Sequence, residues 1–95
     1  MAVGELYIVY IERLRETSYE DVQKKMDLAR SWYRINESVW VLYTTSDADK
    51  WYARLSPLVK DTGSLFICKL DYTESQGLMS QKFWDWVKKH KGESV

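Results

Sequence analysis

The sequence predicts a single α+β domain over residues 1–95. We expect an antiparallel four-stranded sheet with two helices on one face and an additional C-terminal helix. Three observations support this fold class. Four short runs are rich in β-branched and aromatic residues, which favour strands. Two stretches with a helical spacing of apolar residues separate the first run from the second and the third from the fourth. The second and third runs meet with almost no loop inside residues 32–45, as in a tight hairpin.

Composition limits the classes of function. The chain is 45% hydrophobic and 29% charged, which suits one modest core. Fourteen Lys and Arg residues balance fourteen Asp and Glu residues, so nucleic-acid binding is not favoured, because such binders usually carry a basic excess. A single cysteine excludes an internal disulfide and indicates a reducing cytoplasm. No apolar run reaches the roughly 18 residues of a membrane span, so we expect no membrane partner.

The first strand, residues 5–12, is apolar on both faces, which predicts a central position in the sheet. One face carries Leu6, Ile8 and Tyr10, and the opposite face carries Tyr7, Val9 and Ile11. A helix follows a polar turn at residues 13–17, with Thr17 or Ser18 as its N-cap. Its buried stripe is predicted to contain Tyr19, Val22, Met26, Ala29 and Tyr33.

The two runs inside residues 32–45 predict a hairpin that turns at Asn36 and Glu37. The second run, residues 38–45, places Val39, Val41 and Tyr43 on one face and Trp40 and Leu42 on the other. A second helix then begins near Ser46 and ends near Ser56, because Pro57 lacks a backbone N–H and crowds the preceding turn. Its buried stripe is predicted to contain Ala48, Trp51, Tyr52, Leu55 and either Leu58 or Val59.

The last strand, residues 64–70, follows a turn at Asp61, Thr62 and Gly63 and is again apolar on both sides. Cys68 lies within this strand, where we expect a buried thiol that packs as a small hydrophobe. Ser80 caps a final helix at residues 81–90, whose inward residues are predicted to be Phe83, Trp84 or Trp86, and Val87. His90 lies in the lysine-rich end of this helix, where we expect a solvated cation that complements the helix dipole.

This order of elements is that of a ferredoxin-like split βαβ sandwich, βαββαβ, with an additional C-terminal helix. Two helices cover one sheet face, and the other face is apolar and aromatic. The terminal helix either folds over part of that face or lies along a neighbouring subunit. A bare face would exceed the several hundred Å² of apolar patch that monomers tolerate. We therefore expect a homo-oligomer, at least a dimer, with an interface of roughly 1,600 Å².

Three segments resemble a known group of proteins. YIVYIE at residues 7–12, RINESVW at residues 34–40 and SLFICKL at residues 64–70, separated by helices, are similar to the small ferredoxin-like proteins of CRISPR adaptation. They resemble more closely the SinR-like and VapD-like relatives of those proteins, over residues 5–90. Members of the group typically dimerise through the sheet and C-terminal segments. Some are metal-dependent nucleases, and others have no settled activity.

In nuclease-type members an aspartate after an aromatic residue ends the first strand and binds the metal. Here the matching place holds Ile11 and Glu12. The resemblance implies that Glu12 is a ligand of Mg²⁺ or Mn²⁺ in a site shared by two subunits, although glutamate reaches further than aspartate. The competing interpretation is a strand-end glutamate that pairs with Arg13, Arg15 or nothing. One histidine in such a helix end makes no credible Ser-His-Asp set, and four scattered glycines form no phosphate loop.

Aromatic residues are in excess, because five Trp, seven Tyr and two Phe cannot all fill one core of this size. One interpretation is a core plus a dimer interface, where Tyr and Trp are favoured. The other is a platform that stacks the base of a nucleotide, with basic side chains nearby. The residues predicted to bind a ligand or partner are Tyr7, Tyr10, Trp40, Tyr43, Arg34, Trp84 and Trp86.

Together these features predict a small non-catalytic binding protein that acts as a cytoplasmic homo-oligomer without a cofactor. Such a protein would serve as an adaptor or inhibitor of another protein, or as a nucleotide binder, and would suit a phage or mobile element. The alternative is a divalent-metal-dependent nuclease, namely a ribonuclease, with Glu12 at a metal site shared across the dimer.

Overall fold

The computed structural model describes residues 4–12, 18–59 and 63–93, the last three as backbone only. The order of elements agrees with the prediction. The strands are β1 (Glu5–Glu12), β2 (Ser31–Arg34), β3 (Val39–Thr44) and β4 (Ser64–Lys69), and the helices are α1 (Tyr19–Met26), α2 (Ala48–Leu55) and α3 (Gln81–Glu93). Two short 3₁₀ turns occupy Ser56–Leu58 and Tyr72–Glu74. The predicted turns at residues 13–17 and at Asp61 and Thr62 lie outside the described residues.

The four strands form one antiparallel sheet in the order β2-β3-β1-β4. β1 pairs with β3 on one side and with β4 on the other, so that Val9 faces Trp40 and Ile67 in the two registers. The central positions of β1 and β3 confirm the prediction from their two apolar faces. The arrangement is consistent with a ferredoxin-like type of α+β fold.

The hairpin between β2 and β3 turns where the sequence predicts. The Asn36 side-chain oxygen accepts hydrogen bonds from the backbone N–H groups of Ser38 at 2.8 Å and Val39 at 3.0 Å. The Ile35 N–H donates to the Val39 carbonyl at 2.8 Å and closes the strand pair. Asparagine suits this position because its short amide replaces a backbone partner inside the turn.

α1 begins as predicted and ends earlier. The Ser18 hydroxyl accepts a hydrogen bond from the Asp21 N–H at 3.2 Å, which identifies Ser18 as the N-cap. The helix ends at Met26, and the Asp27 N–H donates to the Gln23 carbonyl at 2.8 Å. The prediction that the helical stripe reaches Tyr33 is therefore wrong. Tyr33 belongs to β2, where the side-chain period is two residues, and it packs on the opposite sheet face.

α2 is capped by Asp47, whose carboxylate accepts a hydrogen bond from the Lys50 N–H at 3.0 Å. The helix ends at Leu55 and passes into a 3₁₀ turn that contains Pro57, as the proline predicts. Tyr52 was expected in the buried stripe, but its side chain is 61% exposed. The buried stripe is centred on Trp51 and Leu55, and each helical residue advances about 100°, so Tyr52 turns outward.

The first sheet face is sealed by α1 and α2. The Trp51 indole N–H donates to the Thr44 hydroxyl at 3.1 Å and ties α2 to β3 inside this layer. The Trp40 ring is also fully buried, and its indole N–H has no hydrogen-bond partner among the described residues. The buried members of this cluster are Val9, Ile11, Val22, Met26, Trp40, Leu42, Trp51, Leu55 and Val59.

The second sheet face carries α3, so the terminal helix covers part of this face within one chain. The Ser80 hydroxyl accepts a hydrogen bond from the Phe83 N–H at 3.2 Å, which confirms the predicted cap. Phe83 and Val87 point inward, also as predicted. The buried members of this second cluster are Leu6, Val41, Tyr43, Phe83 and Val87.

β4 is an edge strand, and α3 does not cover its side chains on the second face. Leu65 and Ile67 pack against the first cluster, whereas Phe66 and Cys68 are exposed on the second face. The prediction of a buried Cys68 is wrong, because alternation shows which residues share a face and not whether that face is covered. Gly63 precedes the strand where a Cβ would collide with the Glu12 carbonyl oxygen, so the close approach to β1 requires glycine.

Candidate interaction surface

The seven residues predicted to bind a ligand or partner do not meet at one point. Alternation along the strands places Tyr7, Arg34 and Trp40 on the first face, while Tyr10 and Tyr43 lie on the second face with Trp84 and Trp86 of α3. The side chains of Tyr7, Trp40 and Tyr43 belong to the core. Surface for a partner is therefore offered by Tyr10, Arg34, Trp84 and Trp86.

Arg34 is engaged by its own chain. Its guanidinium carbon lies 4.3 Å from the Tyr19 ring centroid and 5.8 Å from that of Trp40. Its Nε–H donates to the Asn36 carbonyl at 3.1 Å. The aromatic rings of the first face thus already hold a cation from the same chain, which stabilises the end of β2 through cation–π contact.

Trp86 and His90 fix α3 to the strands. The Trp86 indole N–H donates to the Ser31 hydroxyl at 2.9 Å. The His90 ring stacks on Tyr43 with centroids 4.5 Å apart and meets Trp86 edge-on at 4.7 Å. His90 is only 6% exposed, so the expectation of a solvated side chain at the helix end is wrong. The helical stripe that starts at Phe83 continues past Val87 onto His90 and carries the imidazole under the helix.

A row of four apolar side chains crosses the second face, and of the four only Ile35 packs against the cluster that α3 covers. Tyr10 of β1 lies opposite Phe66 of β4 and Val39 of β3 in the two strand registers, and Ile35 follows next to Val39. We call these four residues the terminal row. Phe66 is 63% exposed, Tyr10 is 38% exposed, and Val39 and Ile35 are half-buried. The terminal row is therefore an open strip of hydrocarbon and aromatic surface that reaches the β4 edge.

An apolar cavity of ≈ 190 Å³ adjoins the Ile35 end of the terminal row. It lies between the start of α3 and the segment that leads into it. Leu78 stands fully exposed at its border, and the backbone of residues 76–79 makes no hydrogen bond to another described residue. The cavity is lined by Ile35, Leu70, Ser75, Gln76, Gly77, Leu78, Met79, Phe83, Trp84 and Val87.

A wider, open groove of ≈ 580 Å³ runs along the start of β1 and the end of β4. Lys69 donates to the Glu5 carboxylate at 2.6 Å, and this negative partner raises the pKa of the lysine. The Thr73 hydroxyl and N–H donate to Asp71 at 2.6 and 3.0 Å, which lowers the pKa of that carboxyl group. These charged groups are satisfied within the chain.

Glu12 ends β1 with an exposed side chain opposite Ser64. Within residues 4–12, 18–59 and 63–90, no three His, Cys, Asp or Glu side chains lie together as ligands of one metal ion. Arg13 and Arg15, the expected partners of Glu12, lie outside the described residues. A metal-binding role of Glu12 therefore stays a prediction.

Three exposed residues of this surface were missing from the predicted binding set. Phe66 projects from an edge strand, and Leu78 and Met79 are apolar residues in a segment without regular structure. A sequence signal for them existed. The last strand of a βαββαβ order lies at an edge, and apolar side chains in a polar connection have no core to enter.

Comparison with known proteins leaves the chain without an assigned family. No family model matches it, and no curated protein matches it significantly. The resemblance to SinR-like and VapD-like proteins therefore stays a prediction. No helix formed by the described residues is both long enough and apolar enough to cross a membrane.

Proposed function

We propose that this chain is a ferredoxin-like split βαβ domain with an additional helix, which works in the cytoplasm as a homo-oligomer and acts by binding rather than by catalysis. The strand order and the two helices over the first face support the fold. The terminal row carries the proposal for function, because it is the apolar surface that α3 leaves open beside an edge strand.

A second copy of the chain is the occupant that this surface favours. An apolar strip at a sheet edge gains free energy when it is removed from water, at about 25 cal/mol per Å². A two-fold pair needs only one self-complementary patch, which makes it the commonest assembly. The terminal row presents hydrocarbon and one phenol, which suit recognition by burial and not proton transfer or metal binding.

The test is the oligomeric state in solution. We expect sedimentation at micromolar concentration to give at least a dimer of the 11.3 kDa chain. Phe66→Ser should weaken the association roughly tenfold or more, since each copy loses a phenyl ring from the interface. Leu28→Ser is the matched control, because Leu28 is 58% exposed in the connection before β2, at the opposite edge of the sheet.

Two results would contradict this proposal. A monomer across the whole concentration range would mean that α3 covers enough of the second face without a second copy of the chain. Cleavage of RNA that requires Mg²⁺ or Mn²⁺ and is lost in Glu12→Gln would instead favour the nuclease alternative.

A further inference from the structure

β4 lacks the features that usually protect an edge strand. It pairs with β1 over six consecutive residues without a bulge, contains no proline and carries one charged side chain, Lys69. That ammonium group is held by Glu5 of the neighbouring strand. Natural sheets normally blunt such edges with free charges, prolines or bulges, and an unprotected edge can pair with another strand.

The register with β1 shows which backbone groups of β4 point outward. The Leu70 N–H donates to the Leu6 carbonyl at 2.8 Å, so Leu6 and Leu70 form a hydrogen-bonded pair. Hydrogen-bonded and non-hydrogen-bonded pairs alternate along an antiparallel ladder. Ser64, Phe66 and Cys68 therefore also direct their backbone groups towards β1, and the N–H and C=O groups of Leu65, Ile67 and Lys69 face away from the sheet.

We infer that β4 pairs antiparallel with β4 of a second copy about a two-fold axis at Ile67. The inference rests on the proposed homo-oligomer and places its contact at the Phe66 end of the terminal row, away from Ile35. In this register Ile67 faces Ile67 of the second copy, and each Leu65 faces a Lys69. The three residues of each strand whose backbone groups face away from the sheet then lie opposite one another. Each facing pair exchanges two backbone hydrogen bonds. A shift of the axis by one residue leaves one outward residue of each strand without a partner.

Side chains agree with the same register. Phe66 faces Cys68 of the second copy, so the two phenyl rings and two thiols form one apolar group on the second face beside Tyr10. Lys69 lies across from Leu65, and its ammonium stays with Glu5 of its own chain, so no like charges oppose each other. A second copy of β4 is thus complementary in backbone, hydrophobicity and charge.

This pairing separates the two Glu12 residues. Glu12 lies opposite Ser64, three residues from the axis, and its counterpart lies at the other end of the strand pair. Strand rise and strand spacing put the two Cα atoms roughly 25 Å apart. The dimer therefore extends the sheet to eight strands and does not form a metal site between two Glu12 carboxylates.

Disulfide trapping tests the register. Phe66→Cys places a new thiol opposite Cys68 of the second copy in a non-hydrogen-bonded pair, where the Cα separation of about 4.5 Å is within disulfide range. We expect a covalent dimer on mild oxidation that reductant releases. Leu28→Cys is the control, because this chain also has two cysteines but carries the new one at the far edge of the sheet. Trapping should be roughly a hundredfold or more faster for Phe66→Cys, because contact within a complex replaces micromolar collisions.

A second variant keeps the test decisive if the loss of Phe66 weakens association too far. Ile67→Cys in a Cys68→Ser background leaves one cysteine on the axis, where it meets its own copy at about 5.5 Å between Cα atoms. If the wild-type chain is a dimer and neither variant forms disulfides faster than Leu28→Cys, the β4 register is wrong while the proposed homo-oligomer stands. A wild-type monomer overturns both.

Discussion

On each face of the sheet a tryptophan indole of a helix is hydrogen-bonded to a strand, but the helices cover the two faces to different extents. On the first face the indole of Trp51 donates to Thr44, and on the second face the indole of Trp86 donates to Ser31. Two helices complete the first face, and Trp51 is fully buried there. One helix lies on the second face, Trp86 stays half-buried, and the terminal row is left open. The first face thus supplies stability, and the second divides its apolar surface between stability and recognition.

The largest expected effect is at the first face. Trp51→Ala should lower the free energy of unfolding by about 3–5 kcal/mol, because it leaves a cavity and removes one of the two N–H donors to the buried Thr44 hydroxyl, the Ser46 N–H being the other. Urea denaturation followed by far-UV circular dichroism measures the change. A loss no greater than that of Trp86→Ala would remove the distinction between the faces.

A smaller and more local effect is expected at the second face. Trp86→Ala should cost about 1–3 kcal/mol, since a partly exposed ring buries less area. Hydrogen exchange should show faster opening of α3 with little change in β1 and β3. Trp86→Phe keeps an aromatic ring beside His90 and loses chiefly the hydrogen bond to Ser31, so about 1 kcal/mol is expected. Equal acceleration throughout the sheet would mean that α3 does not open separately.

The smallest effect concerns the segment that carries the chain from β4 to α3. Hydrogen bonds from Thr73 lower the pKa of Asp71, so its ionised form favours the folded state above the unfolded pKa, and this contribution is lost as pH falls through the folded pKa. Thr73→Val should raise the pKa of Asp71 towards its ordinary value, because the hydroxyl bond is gone. Thr73→Ser should keep it low. NMR titration of the carboxyl carbon decides, and an unchanged pKa in Thr73→Val would show that the hydroxyl has no influence.

Local chemistry made much of the fold predictable. The bounds of β1 agree with the prediction, since its β-branched and aromatic run ends in charged residues on both sides. The turn at Asn36 and the caps at Ser18 and Ser80 depend on side chains that bond to backbone groups two or three residues away. Such contacts are encoded in short segments and need no knowledge of the rest of the chain.

What covers a face depends on distant segments, and here the predictions failed. Cys68 and His90 were assigned the reverse of their observed exposure, because each depends on where α3 lies relative to β4 and β3. The candidate surface shows the same limit. Tyr10 was predicted and lies in the terminal row, whereas Phe66 was missed although the βαββαβ order places the last strand at an edge.

The position of α3 after all the other described elements also affects how the protein is made. Trp86 meets Ser31 across 55 residues of sequence, and α3 begins at Gln81. Synthesis proceeds from the N-terminus, so every strand and both helices of the first face leave the ribosome before α3 does. During that interval Val41 and Tyr43 have no helix over them. A nascent chain therefore exposes to other molecules an apolar surface that is buried in the finished protein.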